Sequence, residues 1–252
     1  MRILVTNDDG IQSTGLKALA DTLTTTHEVT VIAPDRNWSV SGHTRTMDRP
    51  LRISDVNLGD GYKAYSTDGS PADCVALSVL GFLEEKPELV ISGINHGNNL
   101  GDDITYSGTV AAAMEAIISG IPAIAVSMDI DPIWPVDVGA QFITRFVDQI
   151  SQHGIDTDIL FNINLPNLPH DEINGVQVTT LGRRIYDDQL VKRVDPRGKT
   201  YYWIGGSIIR SEGDKGTDVA AIADGYVSVT PIHMDMTNHR LLERLRSWDL
   251  RF

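Results

Sequence analysis

Short apolar stretches punctuate the first two-thirds of the chain, at residues 3–6, 29–33, 89–92, 123–127 and 160–164. They are rich in branched aliphatic residues with little polar alternation, the mark of a strand covered on both faces. Between them the apolar spacing switches to a helical period. Helices are predicted to begin near Thr14, Ser70 and Ser107, and another to run from about 136 to 149 with Val138, Phe142, Phe146 and Ile150 on one face. Strands alternating with helices predict an α/β fold, a mostly parallel sheet joined by right-handed crossovers.

After about residue 170 the texture changes. Gly182-Arg183-Arg184, Asp195-Pro196-Arg197-Gly198 and residues 211–216 break up short β-like runs such as 200–204. Residues 226–230 alternate as a late strand, and the tail from Thr237 has helical spacing. The expected organisation is a single domain over 1–252: a core over 1–170 and a β-rich extension over 171–252 that ends in a helix. Protrusions of this kind commonly pair subunits.

Composition narrows the function classes. With 41% hydrophobic residues and a mean hydropathy of −0.11, the 252 residues can bury a substantial core. A net charge of −13 argues against nucleic-acid polymers and anionic membranes, both of which attract positive potential. It is compatible with a small phosphorylated substrate where a metal supplies local positive charge. The single cysteine, Cys74, cannot form an internal disulfide and fits a reducing compartment. No basic leader or membrane-length apolar stretch stands out, so the expected location is the cytoplasm. Asn37-Trp38-Ser39 matches a glycosylation sequon, read here as chance.

The candidate chemistry gathers after the strands, where open α/β sheets bind ligands. Asp8 and Asp9 close the first strand and precede Gly10. Neighbouring strand residues point to opposite faces, so the two carboxylates converge only if the chain turns there. Converging carboxylates repel unless a proton or cation sits between them, and a hard divalent ion suits oxygen ligands. The structural alternative is a helix cap with one solvated neighbour. Residues 33–42 are rich in hydroxyls and amides, and Asn37 or Ser39 would complete an oxygen shell; a surface turn has the same composition. In residues 92–103 glycines interleave with asparagines, which brings backbone close to a ligand, and Asn95 offers a neutral carbonyl. Ser107-Gly108-Thr109 then opens an Ala-rich helix whose N-terminus is either a phosphate site or a plain Ser107 cap. Ser70, Pro71 and Asp73 form a near capping box that is structural first. His233, after the late strand, is either a proton donor to a leaving group or a structural histidine, and His96 poses the same choice. There is no P-loop, no dinucleotide fingerprint after the first strand and no zinc motif.

Taken together, Asn7-Asp8-Asp9-Gly10, Ala33-Pro34-Asp35-Arg36-Asn37 with Ser39, Ser92-Gly93-Ile94-Asn95 with Gly97, Asn99 and Gly101-Asp102-Asp103, and Tyr106-Ser107-Gly108-Thr109-Val110 resemble the stationary-phase survival protein (SurE) family. Further matching blocks are Gly120 to Ser127, Asp195-Pro196-Arg197-Gly198, Tyr202-Trp203-Ile204-Gly205 and Tyr226 to Pro231, so the resemblance covers essentially the whole chain. It implies a Rossmann-like core with a C-terminal region that reaches across subunits in homodimers or homotetramers. It also implies a metal-dependent 5′/3′-nucleotidase that acts on short polyphosphate as well. Carried over residue by residue, it makes Asp8, Asp9, Ser39 and Asn95 the ligands of one divalent ion, Mg²⁺ or Mn²⁺, and places Asn99, Ser107, Gly108 and Thr109 on the phosphate. Trp38, Val40 and His96 depart from the family pattern beside the site and bear on substrate preference.

The expected reaction is hydrolysis of nucleoside monophosphates by direct attack of water. Asp8 and Asp9 carry the catalysis, Asn37 lies near the substrate, and His233 is the candidate leaving-group acid. A non-catalytic nucleotide-binding protein is the alternative. A phospho-accepting receiver module also opens with an acidic pair, but it needs an aspartate after the third strand and a lysine after the fifth. Residues 89–92 lead instead to Gly93 and Asn95, and 123–127 lead to Met128-Asp129.

Overall fold

In the first strand, β1 (Arg2–Thr6), Ile3 and Val5 point to one side and Leu4 to the other, and all three are buried. A strand sealed on both faces needs helices above and below it. The computed structural model describes residues 1–128, 136–154, 156–187, 189–205, the backbone of 208–212, and 214–250. After β1 come α1 (Thr14–Leu23), β2 (Glu28–Pro34), β3 (Ile53–Val56), β4 (Lys63–Thr67) and α2 (Pro71–Leu77). Then follow β5 (Leu89–His96), α3 (Gly108–Ile118), β6 (Ala123–Met128), α4 (Asp137–His153) and β7 (Leu160–Leu165).

The parallel strands lie in the order β4-β2-β1-β5-β6-β7, the doubly wound arrangement. Leu16, Leu19 and Leu23 of α1 share one core with Ile3, Val5 and Ile143 and Val147 of α4. Leu4 packs on the other side with Cys74 and Val75 of α2 and with Val110 and Ala113 of α3. The chain leaves β1 toward β2 and later leaves β5 in the opposite direction, so β1 and β5 flank the switch point. α3 and α4 carry the chain outward in the same direction yet lie on opposite faces. The crossover through α4 therefore has the opposite hand to that through α3, which corrects the expectation of uniformly right-handed connections.

The expected strands are all present within one to four residues of their predicted ends. β3 and β4 were not expected: they carry a polar edge sequence without an apolar run, and β3 pairs antiparallel at the sheet margin. In α4 the buried stripe is Ala140, Ile143, Val147 and Ile150, while Val138, Phe142 and Phe146 are only half-buried on its flank.

The C-terminal part contains β8 (Val176–Val178), β9 (Arg183–Tyr186), β10 (Gln189–Val194), β11 (Thr200–Gly205), β12 (Ile208–Glu212), α5 (Asp218–Ala223), β13 (Val227–Ile232) and α6 (His239–Arg246). β13 returns to the main sheet and pairs antiparallel with β7, and β8 closes that edge. β9 pairs with β12, so 211–212 are strand rather than the break expected there; Gly213 lies outside the described residues. β10 and β11 form a hairpin that no other strand joins among the described residues, exposed along both faces. Among the described residues no helix is long and apolar enough to cross a membrane.

Candidate active site

The turn after β1 is built by Asn7. Its buried side chain accepts from the Gly10 N–H at 3.1 Å and donates to the Gly10 carbonyl at 3.0 Å. Gly10 has φ +98°, and a Cβ there would lie 3.1 Å from the carbonyl carbon and oxygen of Arg36. The chain can thus fold back against the end of β2, where the Ile11 N–H donates to the Pro34 carbonyl at 2.8 Å. Asp8 and Asp9 leave this turn at the switch point between β1 and β5.

Asp8 is buried, and the Thr109 hydroxyl donates to its Oδ1 at 2.5 Å. Burial raises its pKa, the bonds from Thr109 pull it back, and the neighbouring Asp9 charge pushes it up again. α3 presses directly on this side chain: a Cβ on Gly108 would stand 2.7 Å from Asp8 Cβ and 2.8 Å from Oδ2. Ser107 caps α3 by accepting from the Val110 N–H at 3.1 Å. Gly108 and Thr109 therefore abut Asp8, whereas Ser107 serves as the cap; with the Thr109 hydroxyl and N–H turned to Asp8, the remaining first-turn backbone is what could face an anion.

Asp9 is half-buried, which raises its pKa despite the His96 N–H and charge beside it. That N–H donates to Oδ2 at 3.2 Å, and Asn37 Nδ2 lies 3.5 Å from Oδ1. The Asn37 carbonyl oxygen accepts from both the Ser39 N–H and hydroxyl at 2.6 Å. Asp9, Asn37 and Ser39 are thus linked, on a loop whose Trp38 N–H donates to the Asp8 carbonyl at 2.7 Å. Ser41, which sequence reading passed over, has its buried hydroxyl 3.1 Å from the position of a Gly108 Cβ and no hydrogen-bond partner among the described residues.

From β5, Asn95 donates its amide to the Gly97 carbonyl at 2.7 Å, which leaves its own side-chain oxygen as the atom to offer a ligand. Asn99 sits in a buried amide cluster. Its N–H donates to Asn164 Oδ1 at 2.8 Å, its side chain to Ser127 at 2.8 Å, and its carbonyl accepts from Asn162 and Asn164. Ser127, Asn162 and Asn164 lie inside strands, where an unbroken apolar reading hides such polar roles. The loop is also pinned from the C-terminal part. Fully buried Asp218 accepts N–H bonds from Gly101, Gly182 and Val219, and Asp103 accepts from Arg184 at 3.0 Å and Tyr186 at 2.6 Å.

His233 does not join this group, which corrects its assignment as the acid of the same site. β13 runs antiparallel, with Ser228 beside Asn164 and Ile232 beside Leu160. Its end therefore emerges at the opposite edge of the sheet, roughly 16 Å of strand from the carboxyl ends at ~3.3 Å per residue. His233 is exposed there and accepts from the Asp235 N–H at 3.2 Å. The Ser70–Asp73 capping box is complete, and Asp73 also accepts from the Thr46 N–H, so its role is structural.

Among the described residues no three His, Cys, Asp or Glu side chains cluster as a metal group. What the turn does offer is two adjacent carboxyl groups, both shifted toward the protonated form, with neutral hydroxyl and amide oxygens around them. That donor set fits a hard divalent cation, which would relieve the repulsion.

Comparison with known proteins shows the family. Residues 3–188 match the family described as Survival protein SurE. The chain is 51% identical over 251 residues to the 5′-nucleotidase SurE of Chloroflexus aggregans, covering 99% of both proteins. It is 46% identical to that of Legionella pneumophila, covering 97% of this chain and 96% of the relative. The crystal structure of the SurE protein from Aquifex aeolicus superposes with a TM-score of 0.84 at 42% identity and 98% coverage of each chain.

Proposed function

The chain belongs to the survival protein SurE family, and from that premise we propose that it is a nucleotidase. It hydrolyses nucleoside 5′- and 3′-monophosphates to nucleoside and phosphate, and short polyphosphate as a further substrate. One divalent ion per subunit, Mg²⁺ or Mn²⁺, would be held by Asp8, Asp9, Ser39 and Asn95. When bound, it supplies positive charge at the phosphoryl group and lowers the pKa of a water.

The chain's own residues do the rest. Thr109 holds Asp8 and the His96 N–H holds Asp9, so neither carboxylate has to reorganise when substrate arrives. The first turn of α3, opening at Gly108, carries the helix's partial positive charge toward an incoming phosphate, while the Thr109 N–H and hydroxyl are both turned to Asp8. The main-chain N–H of Asn99 is spent on Asn164 and one side-chain N–H on Ser127, so its second side-chain N–H is the donor that would reach the phosphate. Asn37 steadies Asp9 and borders the substrate. Water attacks directly, because a carboxylate that holds a cation is a poor nucleophile. The leaving alkoxide takes its proton from solvent, His233 being on the other edge of the sheet.

The single observation that supports this reading is the contact of Asp8 with the N-terminus of α3 at the switch point, where a cation held by Asp8 would lie beside a helix start suited to an anion. Phosphate release from a panel of 5′- and 3′-monophosphates and tripolyphosphate, each with EDTA, Mg²⁺ or Mn²⁺, tests it. Metal-dependent release that Asp8→Asn abolishes is the expected result. A folded, metal-loaded protein that releases nothing would leave a nucleotide-binding protein instead. The β10–β11 hairpin and α6, which buries no residue in its own chain, support assembly into a homodimer or homotetramer.

A further inference from the structure

The loop between β2 and β3 carries Asn37, Ser39 and Ser41, yet its firmest anchors lie outside the site. Two backbone bonds lay it over the centre: the Trp38 N–H to the Asp8 carbonyl at 2.7 Å, and the Gly42 N–H to the Tyr106 carbonyl at 3.0 Å. Between them Val40 holds φ +59°, a left-handed conformation that a β-branched residue resists. Two backbone bonds, each a modest net contribution, flank a strained residue, so the loop depends on further anchors. Just past Gly42 the loop meets Glu115, which is 5% exposed on the buried face of α3. His43 Nε2 lies 2.9 Å from Glu115 Oε2, and Arg45 Nη1 lies 3.4 Å from Oε1. Further on, Thr46 and Thr44 are tied to Asp73 and Ser70 of the capping box.

A buried carboxylate is costly unless it is paired, and both basic side chains facing Glu115 come from this loop. If the loop lifts, Glu115 loses both of these partners. The same helix presses Gly108 and Thr109 against Asp8, roughly 10 Å away along α3 at ~1.5 Å per residue. We propose that Glu115, with His43 and Arg45, is a latch that holds the 37–42 loop closed over the Asp8–Asp9 centre. Glu115 is a positioning residue, acting on Ser39, Asn37 and Ser41 through the loop and touching no reacting atom. The proposal rests on reading Asp8 and Asp9 as the metal centre of the nucleotidase.

Amide hydrogen exchange in the full chain without metal tests the latch without any turnover. In Glu115→Gln, and separately in a His43→Gln/Arg45→Gln variant that changes only loop residues, exchange at Trp38 and Gly42 should rise about tenfold or more. The Ile11 amide, bonded to Pro34, should keep its rate and serve as the internal control. Mn²⁺ affinity should fall by about tenfold in both variants, with kcat recovering at saturating Mn²⁺. Unchanged exchange at Trp38 and Gly42 in folded variants, with wild-type Mn²⁺ affinity, overturns the latch. A wild-type protein that binds Mn²⁺ but releases no phosphate overturns the nucleotidase reading alone, because the exchange rates still judge the loop.

Discussion

The Thr109 hydroxyl and the Asp8 carboxylate are joined across 2.5 Å, so one buried bond ties the first turn of α3 to the end of β1. Thr109→Val keeps the shape and removes the donor. The expected loss is about 1–3 kcal/mol at neutral pH, the cost of a buried acceptor deprived of its partner. The sign with pH follows from the raised pKa of Asp8. A carboxyl raised in the folded state stabilises fully below its unfolded value of 3.8 and loses that contribution as pH rises through the folded pKa. The variant raises Asp8 further, so its deficit should grow from acid to neutral pH. Thermal unfolding at pH 4 and pH 7 checks this, and a deficit independent of pH would reject it.

Gly108→Ala should destabilise although it improves helix propensity. Gly108 is the first residue of α3, so alanine gains at most the ~1 kcal/mol it holds over glycine in a helix interior. Here its Cβ would stand 2.7 Å from Asp8 Cβ, and overpacking of that order costs roughly 1–3 kcal/mol. The clash wins, and because the atom that must move is Asp8, Mn²⁺ affinity should fall together with Tm. A stabilised variant with intact metal binding would show that Asp8 has room to shift.

His27 sets an acid limit to stability. Its side chain is 7% exposed, Nε2 has no hydrogen-bond partner among the described residues, and Asp148 lies 3.6 Å away. Burial and then the nearby N-terminal charge lower its pKa, only partly offset by Asp148. A histidine depressed in the folded state contributes stability above its unfolded pKa of 6.5 and loses it as pH falls toward the folded value. His27→Leu should therefore flatten the decline in unfolding free energy below pH 6.5. Denaturant titrations at pH 5 and pH 7 measure it, and an unchanged slope assigns the decline to other groups.

The β10–β11 hairpin exposes Leu190 at 66%, Trp203 at 65% and Ile204 at 82%, with Leu190 paired to Ile204 across the strands. A two-stranded hairpin alone is marginal in water, and contiguous exposed apolar surface marks an interface. Trp203→Ser with Ile204→Ser should weaken self-association by about 2 kcal/mol or more, near thirtyfold in dissociation constant. Light scattering against concentration reads this directly. Unaltered mass at every concentration would place the interface elsewhere.

How much was legible in advance depended on the kind of signal. The buried strands and the caps at Ser70 and Ser107 are local chemistry, and they stand where apolar runs and cap residues indicate. β3 and β9 lack a covered face and so lack the apolar run that betrays a strand, and β4, although paired on both sides, buries only Ala64 and Thr67 and carries no apolar run either. Helical spacing puts Val138, Phe142, Phe146 and Ile150 on one face of α4, whereas the buried stripe is centred on Ala140, Ile143, Val147 and Ile150, and periodicity alone does not fix which of two adjacent apolar stripes faces the sheet.

Sequence by itself picked out the residues proposed to carry the chemistry: two adjacent carboxylates closed by a glycine, an amide-rich loop, and a small-residue helix start. Those are properties of side chains and of short-range backbone freedom, and they need no knowledge of what lies opposite. Tertiary structure alone decided the pairings. It set Thr109 on Asp8, Glu115 on a loop some seventy residues earlier, and Asp218 beneath the Gly101 turn. It also carried His233 to the far edge, because strand direction is fixed by how β13 returns to β7 and not by the residues around the histidine. Contacts between distant segments depend on sheet order and crossover hand, and neither is written in the spacing of any one segment.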